Sequence, residues 1–369
     1  MKDVMGVINL INEPDDLEEL TYHRAVASVP FGGRYRLIDF MLSSMVNSGI
    51  RNVALFTHAK YRSLMDHVGS GKSWDLARKR NGLFFLPPSI EEVQESLKGD
   101  LFHFHKNKDY FLRSSCDYVV LARSHMVCNI DLAEVVEAHK ETKADITLVY
   151  KEDKTQDTAR CRRIQTNAEG RITVLQDHFG RSESDKVSME IYVLRKDLLL
   201  DLVETSLAQG YDHFVRNAVM KNLERLDVRG YPFKGYLAVV NSIPAYFRHS
   251  MNLLDPEVYQ QLFFQPAPIL TKVKDEPPTK YSQRARVKNS LIANGCVIDG
   301  SIENCILFRG VKVHAGAQLK NCIILQNGQV MERAVLQNVI LDKDVRITND
   351  TTLIGDPKAP YIAEKSKII

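Results

Sequence analysis

Over the first 250 or so residues, short apolar runs alternate with amphipathic stretches. Val4–Leu10, Val53–Thr57, Tyr118–Ala122 and Asp145–Tyr150 have the length of buried strands. Between them, Leu37–Ser48 and Leu132–Thr142 carry apolar residues at helical spacing. That alternation predicts a mostly parallel sheet covered by helices. Past Ser250, Pro256, Pro266, Pro268, Pro277 and Pro278 punctuate a stretch with little helical period, which predicts a linker over 251–279. An internal repeat follows. Asn289-Ser290-Leu291-Ile292, Asn304-Cys305-Ile306-Leu307, Asn321-Cys322-Ile323-Ile324 and Asn338-Val339-Ile340-Leu341 begin 15, 17 and 17 residues apart. Further aliphatics recur every five or six residues at Val297, Ile302, Val311, Val330, Val335 and Val345, with Gly and Asn at the bends. A short strand per side and a turn every six or so residues make a prism-shaped coil whose stacked turns bury one aliphatic column. Residues 280–355 therefore read as a hexapeptide-type β-helix. An antiparallel β-sandwich also has strands at short intervals, but it gives no reason for four returns of Asn-x-aliphatic-aliphatic.

Length and composition agree with this division. A chain of 369 residues suggests two domains, and 44% hydrophobic with 26% charged residues disfavours collagen-like, disordered and membrane classes. Forty-nine basic and 46 acidic residues leave a formal charge of +3, which gives no argument for nucleic acid or an anionic membrane. No apolar run is long enough to span a bilayer, and the start Met1-Lys2-Asp3-Val4 lacks the layout of a signal peptide, so a cytoplasmic location is expected. Six scattered cysteines with no C-x-x-C pair read as buried reduced thiols, Cys305 and Cys322 stacking on adjacent coils. His67, His103 and His105 have no carboxylate cluster nearby in sequence and read as structural.

The most distinctive segment is Val29-Pro30-Phe31-Gly32-Gly33-Arg34-Tyr35-Arg36-Leu37-Ile38-Asp39-Phe40, where two glycines permit a sharp turn into a helix. Together with Val46-Asn47-Ser48-Gly49-Ile50, Trp74-Asp75-Leu76-Ala77-Arg78, Leu86-Pro87-Pro88 and the terminal repeat, it resembles ADP-glucose pyrophosphorylase, or glucose-1-phosphate adenylyltransferase, over nearly the whole chain. The resemblance implies a Rossmann-like α/β nucleotidyltransferase domain over 1–250, the linker over 251–279, and a left-handed parallel β-helix of hexapeptide repeats over 280–369. It also implies a chemistry in which a sugar phosphate attacks the α-phosphorus of ATP and releases pyrophosphate. Such chemistry needs glycine-rich backbone amides, basic side chains and Mg²⁺ held by carboxylates.

Those parts are altered here. Leu17, Leu20, Thr21, Arg24 and Ala25 fix the register against the family's L-A-G-G-x-G-T-R-L loop and its R-A-K-P-A sequel. In that register the phosphate loop reads Asn9-Leu10-Ile11-Asn12-Glu13-Pro14-Asp15-Asp16-Leu17. Pro14 supplies no N–H, and Glu13, Asp15 and Asp16 oppose a triphosphate. Val26 stands at the lysine position of R-A-K-P-A. Ser124 and Val239 stand at the two metal-aspartate positions, so the resemblance predicts no metal site and no cofactor. His178, followed by Phe179, falls at the sugar-phosphate lysine, and Arg162 at a glycine lining the sugar pocket, while Ser188-Met189 matches.

The scaffold motifs match while the catalytic ones fail together, which resembles the non-catalytic, regulatory GlgD-type subunit of the bacterial enzyme. Its implied partner is the catalytic subunit, in a heterotetramer. The implied effector is an anionic metabolite, with His23, Arg24, Arg36, Arg309 and Lys312 as candidate contacts. Arg24, Arg34 and Arg36 equally fit surface or interface ion pairs. His125 reads as a structural histidine beside Ser124. Two other functions stay open at this point: an active sugar-phosphate nucleotidyltransferase with an altered metal site, and a hexapeptide acyltransferase using His314.

Overall fold

The computed structural model describes residues 1–57, 60–88, 98–153, 160–177 and 184–369. Its residues group into two compact units. The first comprises Met1–Glu13, Phe40–Leu237 and Phe264–Leu270; the second comprises Pro14–Asp39, Ala238–Phe263 and Thr271–Ile369.

The first unit is built on a nine-stranded sheet. Its strands are β1 (Val4–Asn9), β2 (Asn52–Phe56), β3 (Gly82–Leu86), β4 (Tyr118–Ala122), β5 (Ile146–Glu152), β6 (Arg163–Thr166), β7 (Ile172–Gln176), β8 (Lys186–Arg195) and β9 (Val228–Pro232). The order along the sheet is β7-β6-β8-β4-β1-β2-β3, with β5 paired to β8 and β9. Strands β4, β1, β2 and β3 are mutually parallel, with Val7 opposite both Ala54 and Leu121. Strand β8 runs antiparallel to both β4 and β5. An apolar run carries no record of its direction, so the alternation of strand and helix signals leaves this reversal unmarked. Met5, Val7, Ala54, Phe56, Val119, Leu121, Leu148 and Tyr192 lie in one core with helix Lys196–Ala208. Helix Leu132–Thr142 starts on Asp131, whose carboxylate accepts from the Ala133 N–H at 2.8 Å.

In the second unit, Gly32 (φ 61°) and Gly33 (φ 82°) turn the chain between short strands Pro30–Phe31 and Tyr35–Arg36. A Cβ on Gly32 would come within 2.6 Å of the Phe263 ring, and one on Gly33 within 2.9 Å of Leu291. Both the backbone angle and the close approach therefore demand glycine. The expectation of little helix past Ser250 is corrected, since Pro256 heads the helix Pro256–Phe263. Proline is tolerated at a helix start because its missing N–H has no intrahelical partner there, and this helix is fastened by the buried Leu262 and Phe263.

From Lys280 the chain forms a left-handed parallel β-helix whose three faces each stack five strands. One face runs Leu291–Ile292, Ile306–Leu307, Ile323–Ile324, Val339–Leu341 and Tyr361–Ala363, so the coil continues past 355. Ile298, Ile302, Val313, Leu319, Val330 and Leu336 fill the column. Asn289, Asn304, Asn321 and Asn338 occupy one corner, all with positive φ, between 41° and 52°. Their amides form a ladder: Asn289 Nδ2 donates to Asn304 Oδ1 at 2.8 Å, Asn304 to Asn321 at 3.3 Å and Asn321 to Asn338 at 3.0 Å. The repeated asparagine thus meets two needs, a left-handed backbone and a side chain that bonds to its copy on the next coil. Cys305 and Cys322 lie in the column, the Cys322 N–H 3.3 Å from the Cys305 sulfur. All six cysteines are buried free thiols.

Candidate functional site

In the first unit the loops after β1 and β4 lie at the carboxyl ends of adjacent parallel strands, where open α/β sheets hold ligands. Here the two loops bind each other. The Glu13 side chain is only 4% exposed and accepts from the Ser124 N–H at 2.6 Å and from Ser124 Oγ at 3.0 and 2.8 Å. His125 Nδ1 stands 3.5 Å from the same carboxylate. Burial pushes the Glu13 carboxyl up, but the His125 ring, the Arg123 guanidinium and the Ser124 N–H outweigh it and hold the group below the usual range.

Asn9 and Ile11 at the start of the β1 loop are engaged as well. The Ile11 N–H donates to Asn9 Oδ1 at 3.0 Å, and the Ile11 carbonyl accepts from Arg123. Asp100 ties this layer down, accepting from Asn9 Nδ2 at 2.8 Å and the Phe214 N–H at 2.7 Å, with Arg123 at 3.4 Å. An amide that already donates inside its own loop offers nothing to a phosphate. The expectation that Glu13 faces a triphosphate is corrected: its side chain is buried on Ser124, a contact across 111 residues that no local pattern announces.

A second cluster surrounds Arg162. Its guanidinium donates to Asp177 at 2.7 Å and to both Glu190 oxygens at 2.7 and 2.8 Å, and Arg216 also donates to Asp177. Burial opposes the charge on Arg162, but Glu190, Tyr192 and Asp177 raise its pKa further; burial likewise raises Asp177, which Arg162 and Arg216 bring below the ordinary range. Glu190 sits two residues past Ser188, at φ 55° in a shifted register of β8. A non-glycine residue in that region is strained, and the pairing with Arg162 holds it there. His178 and Phe179 lie outside the described residues.

The remaining family positions fall in the second unit. Pro14 and Asp16 are exposed, Asp16 forming a backbone bridge with Ser242. Val26 and Val239 are buried, at 4% and 1% exposure, so apolar packing has replaced charge at both. The donor set does not fit Mg²⁺: one family position is a buried valine, the other a serine already bonded to Glu13, and the described residues hold no group of three or more His, Cys, Asp or Glu placed for a metal.

Of the candidate effector contacts, Arg24 is buried in a two-pronged ion pair with Asp342, both distances 3.0 Å, and donates also to the Leu20 carbonyl. Removing one partner of such a pair costs about 3–5 kcal/mol because the other is left buried and unpaired. Arg36 lies within electrostatic range of Lys343, as do Arg24 and Lys365. Burial and these cations lower Lys343 to about 7. Arg309 is half-buried near Arg34, and burial followed by that neighbour lowers its pKa. His23 and Lys312 are exposed. Sequence reasoning did not single out Lys343, because its setting depends on residues some 300 positions away.

A nine-stranded α/β sheet and a hexapeptide coil define a nucleotidyltransferase-type protein with a β-helix. In agreement, the nucleotidyl transferase family model matches residues 16–253 and the GlmU-like, C-terminal hexapeptide model matches residues 277–360. The glycogen biosynthesis protein GlgD of Bacillus subtilis strain 168 is 44% identical over 99% of this chain and 96% of its own length. That of Geobacillus stearothermophilus is 44% identical over 85% of this chain and 82% of its own. A glucose-1-phosphate adenylyltransferase of Halalkalibacterium halodurans is 32% identical over 86% and 84% respectively. The chain belongs to the ADP-glucose pyrophosphorylase family and, within it, to the GlgD type.

Proposed function

We propose that this chain works in bacterial glycogen biosynthesis as a catalytically silent subunit, associating with a catalytic glucose-1-phosphate adenylyltransferase subunit and altering its activity and effector response. The observation that carries the reading is the closure of the β1 loop: Glu13 is bonded to Ser124, and the Ile11 amide and carbonyl are both engaged within the protein. Phosphoryl transfer depends on positioning and charge neutralisation, and here the Arg162 guanidinium and the Arg123 guanidinium are committed to Glu190, Asp177, Ile11 and Asp100. With no turnover of its own, the chain acts by binding differently to the states of its partner.

A heterotetramer in the cytoplasm is the arrangement we assign. Among the described residues no helix is long and apolar enough to cross a membrane. The effector in this reading is an anionic metabolite, contacted by Arg36 and Lys343 with His23, Arg309 and Lys312 contributing and Arg24 held in place by Asp342. The test is an assay of the purified chain with ATP, glucose 1-phosphate and Mg²⁺. Pyrophosphate release at background level is expected. Turnover comparable to a catalytic subunit would overturn the proposal in favour of an active enzyme with an altered metal site.

A further inference from the structure

At the corner of the β-helix that follows strand Val339–Leu341, Lys343 stands between two equivalent positions. The Asp344 N–H donates to the Gln326 carbonyl at 3.0 Å and the Ser366 N–H to the Lys343 carbonyl at 2.9 Å, so Gln326, Lys343 and Lys365 stack on successive coils. Neighbouring strands lie ~4.8 Å apart, and like charges set side by side at that spacing repel. The coil itself therefore places one cation beside Lys343. Two more come from earlier in the chain, since Arg24 and Arg36 both act on its amine.

The cluster is short of negative charge. Asp342 is the one carboxylate among these groups, and it is already engaged: fully buried, it accepts both prongs of Arg24 at 3.0 Å and the Lys343 N–H at 2.7 Å. Gln326 adds an unmet group, because its Oε1 is buried and has no hydrogen-bond partner among the described residues. Turned over, that amide would place N–H donors there instead, and these need an acceptor. Burial, Arg36 and Arg24 hold the Lys343 amine at about 7. At pH 8 about nine molecules in ten then present a lone pair, against about one in 250 for an ordinary lysine.

A neutral amine inside a cluster that lacks an anion suits a small electrophile whose adduct is anionic. We propose that dissolved carbon dioxide adds to Lys343, forming a carbamate held by Arg36 and Lys365. The nitrogen lone pair forms the N–C bond, one C=O π pair moves onto oxygen, and an amine proton leaves to solvent, with nothing oxidised or reduced. Lys343 then carries a negative charge, so the carbamate and Asp342 together face Arg24, Arg36 and Lys365. On the effector reading, the carbamate and an anionic metabolite use the same cations, and carbon dioxide opposes the metabolite. The modification itself needs neither the metabolite nor the partner chain.

In the experiment the full-length chain is equilibrated with isotopically labelled bicarbonate and carbon dioxide at pH 8, treated with a trialkyloxonium salt that esterifies carbamates, digested, and read by mass spectrometry. A labelled ester on Lys343 at least tenfold more abundant than on the exposed Lys358 is expected. Arg36→Gln and Lys365→Ala are each expected to lower the Lys343 ester at least threefold, and Lys343→Met to remove it. Lys365 is exposed, so its variant carries the comparison alone if the Arg36 variant does not fold. An ester on Lys343 no more abundant than on Lys358 would overturn the proposal, as would one that loss of the neighbouring cation leaves unchanged. Neither result depends on whether a metabolite binds or the chain turns over substrate.

Discussion

Ser124 and Glu13 show how a single exchange can be stabilised by another far away. A carboxylate at 124 would lie against the Glu13 oxygens now 2.8 and 3.0 Å from Ser124 Oγ, and one at 239 would enter a site only 1% exposed. Restoring the family's two metal aspartates by Ser124→Asp with Val239→Asp is thus expected to yield no turnover. It should also lower the unfolding free energy by at least about 2 kcal/mol, by analogy with other buried unsatisfied polar groups. Pyrophosphate assays and urea titration of the double variant check both statements. Lys343 supplies a pH test. Its folded pKa, about 7, lies below its ordinary value of 10.5, so unfolding takes up protons between those values and stability rises with pH across that window. Below about 7 the charged group is carried at full penalty; above 10.5 it imposes none. Lys343→Met should therefore stabilise the protein more at pH 6.5 than at pH 10, as read by chemical denaturation at each pH. An equal effect at both would show that Lys343 titrates normally.

At the scale of elements, the coil was the most legible part of the chain. Asparagine every 15 or 17 residues recorded both the corner and the rise, because each coil repeats one backbone angle and one amide bond. Strands Tyr118–Ala122 and helix Leu132–Thr142 were equally open to reading, since their burial follows their own periodicity. The direction of β8 and the helix at Pro256 were not, being set by partners distant in sequence. The asparagine ladder gives a graded prediction. Asn321→Ala loses two side-chain bonds and strains a backbone at φ 51°, with an expected cost of about 2–3 kcal/mol. Asn321→Gly loses the same bonds without the strain and should cost less. Urea midpoints of the two variants decide it, and equal losses would remove the backbone half of the explanation.

For the whole molecule, sequence told most about what is missing and structure told what has taken its place. The substitutions at Pro14, Asp16, Ser124 and Val239 can be read along the chain, but not the bonds from Glu13 to Ser124, from Arg162 to Glu190 or from Arg24 to Asp342. Each of those pairs joins charged or polar groups that periodicity does not connect. On the function proposed above, the same scaffold acts on a partner and not on a substrate. The most direct measurement of that claim is pyrophosphate release by the catalytic subunit, alone and co-expressed with this chain, across a titration of phosphorylated metabolites. The account predicts that the two chains co-purify and that the mixture differs from the catalytic subunit in rate or in effector midpoint, while this chain alone stays at background. Identical rates and midpoints with and without it would contradict the account.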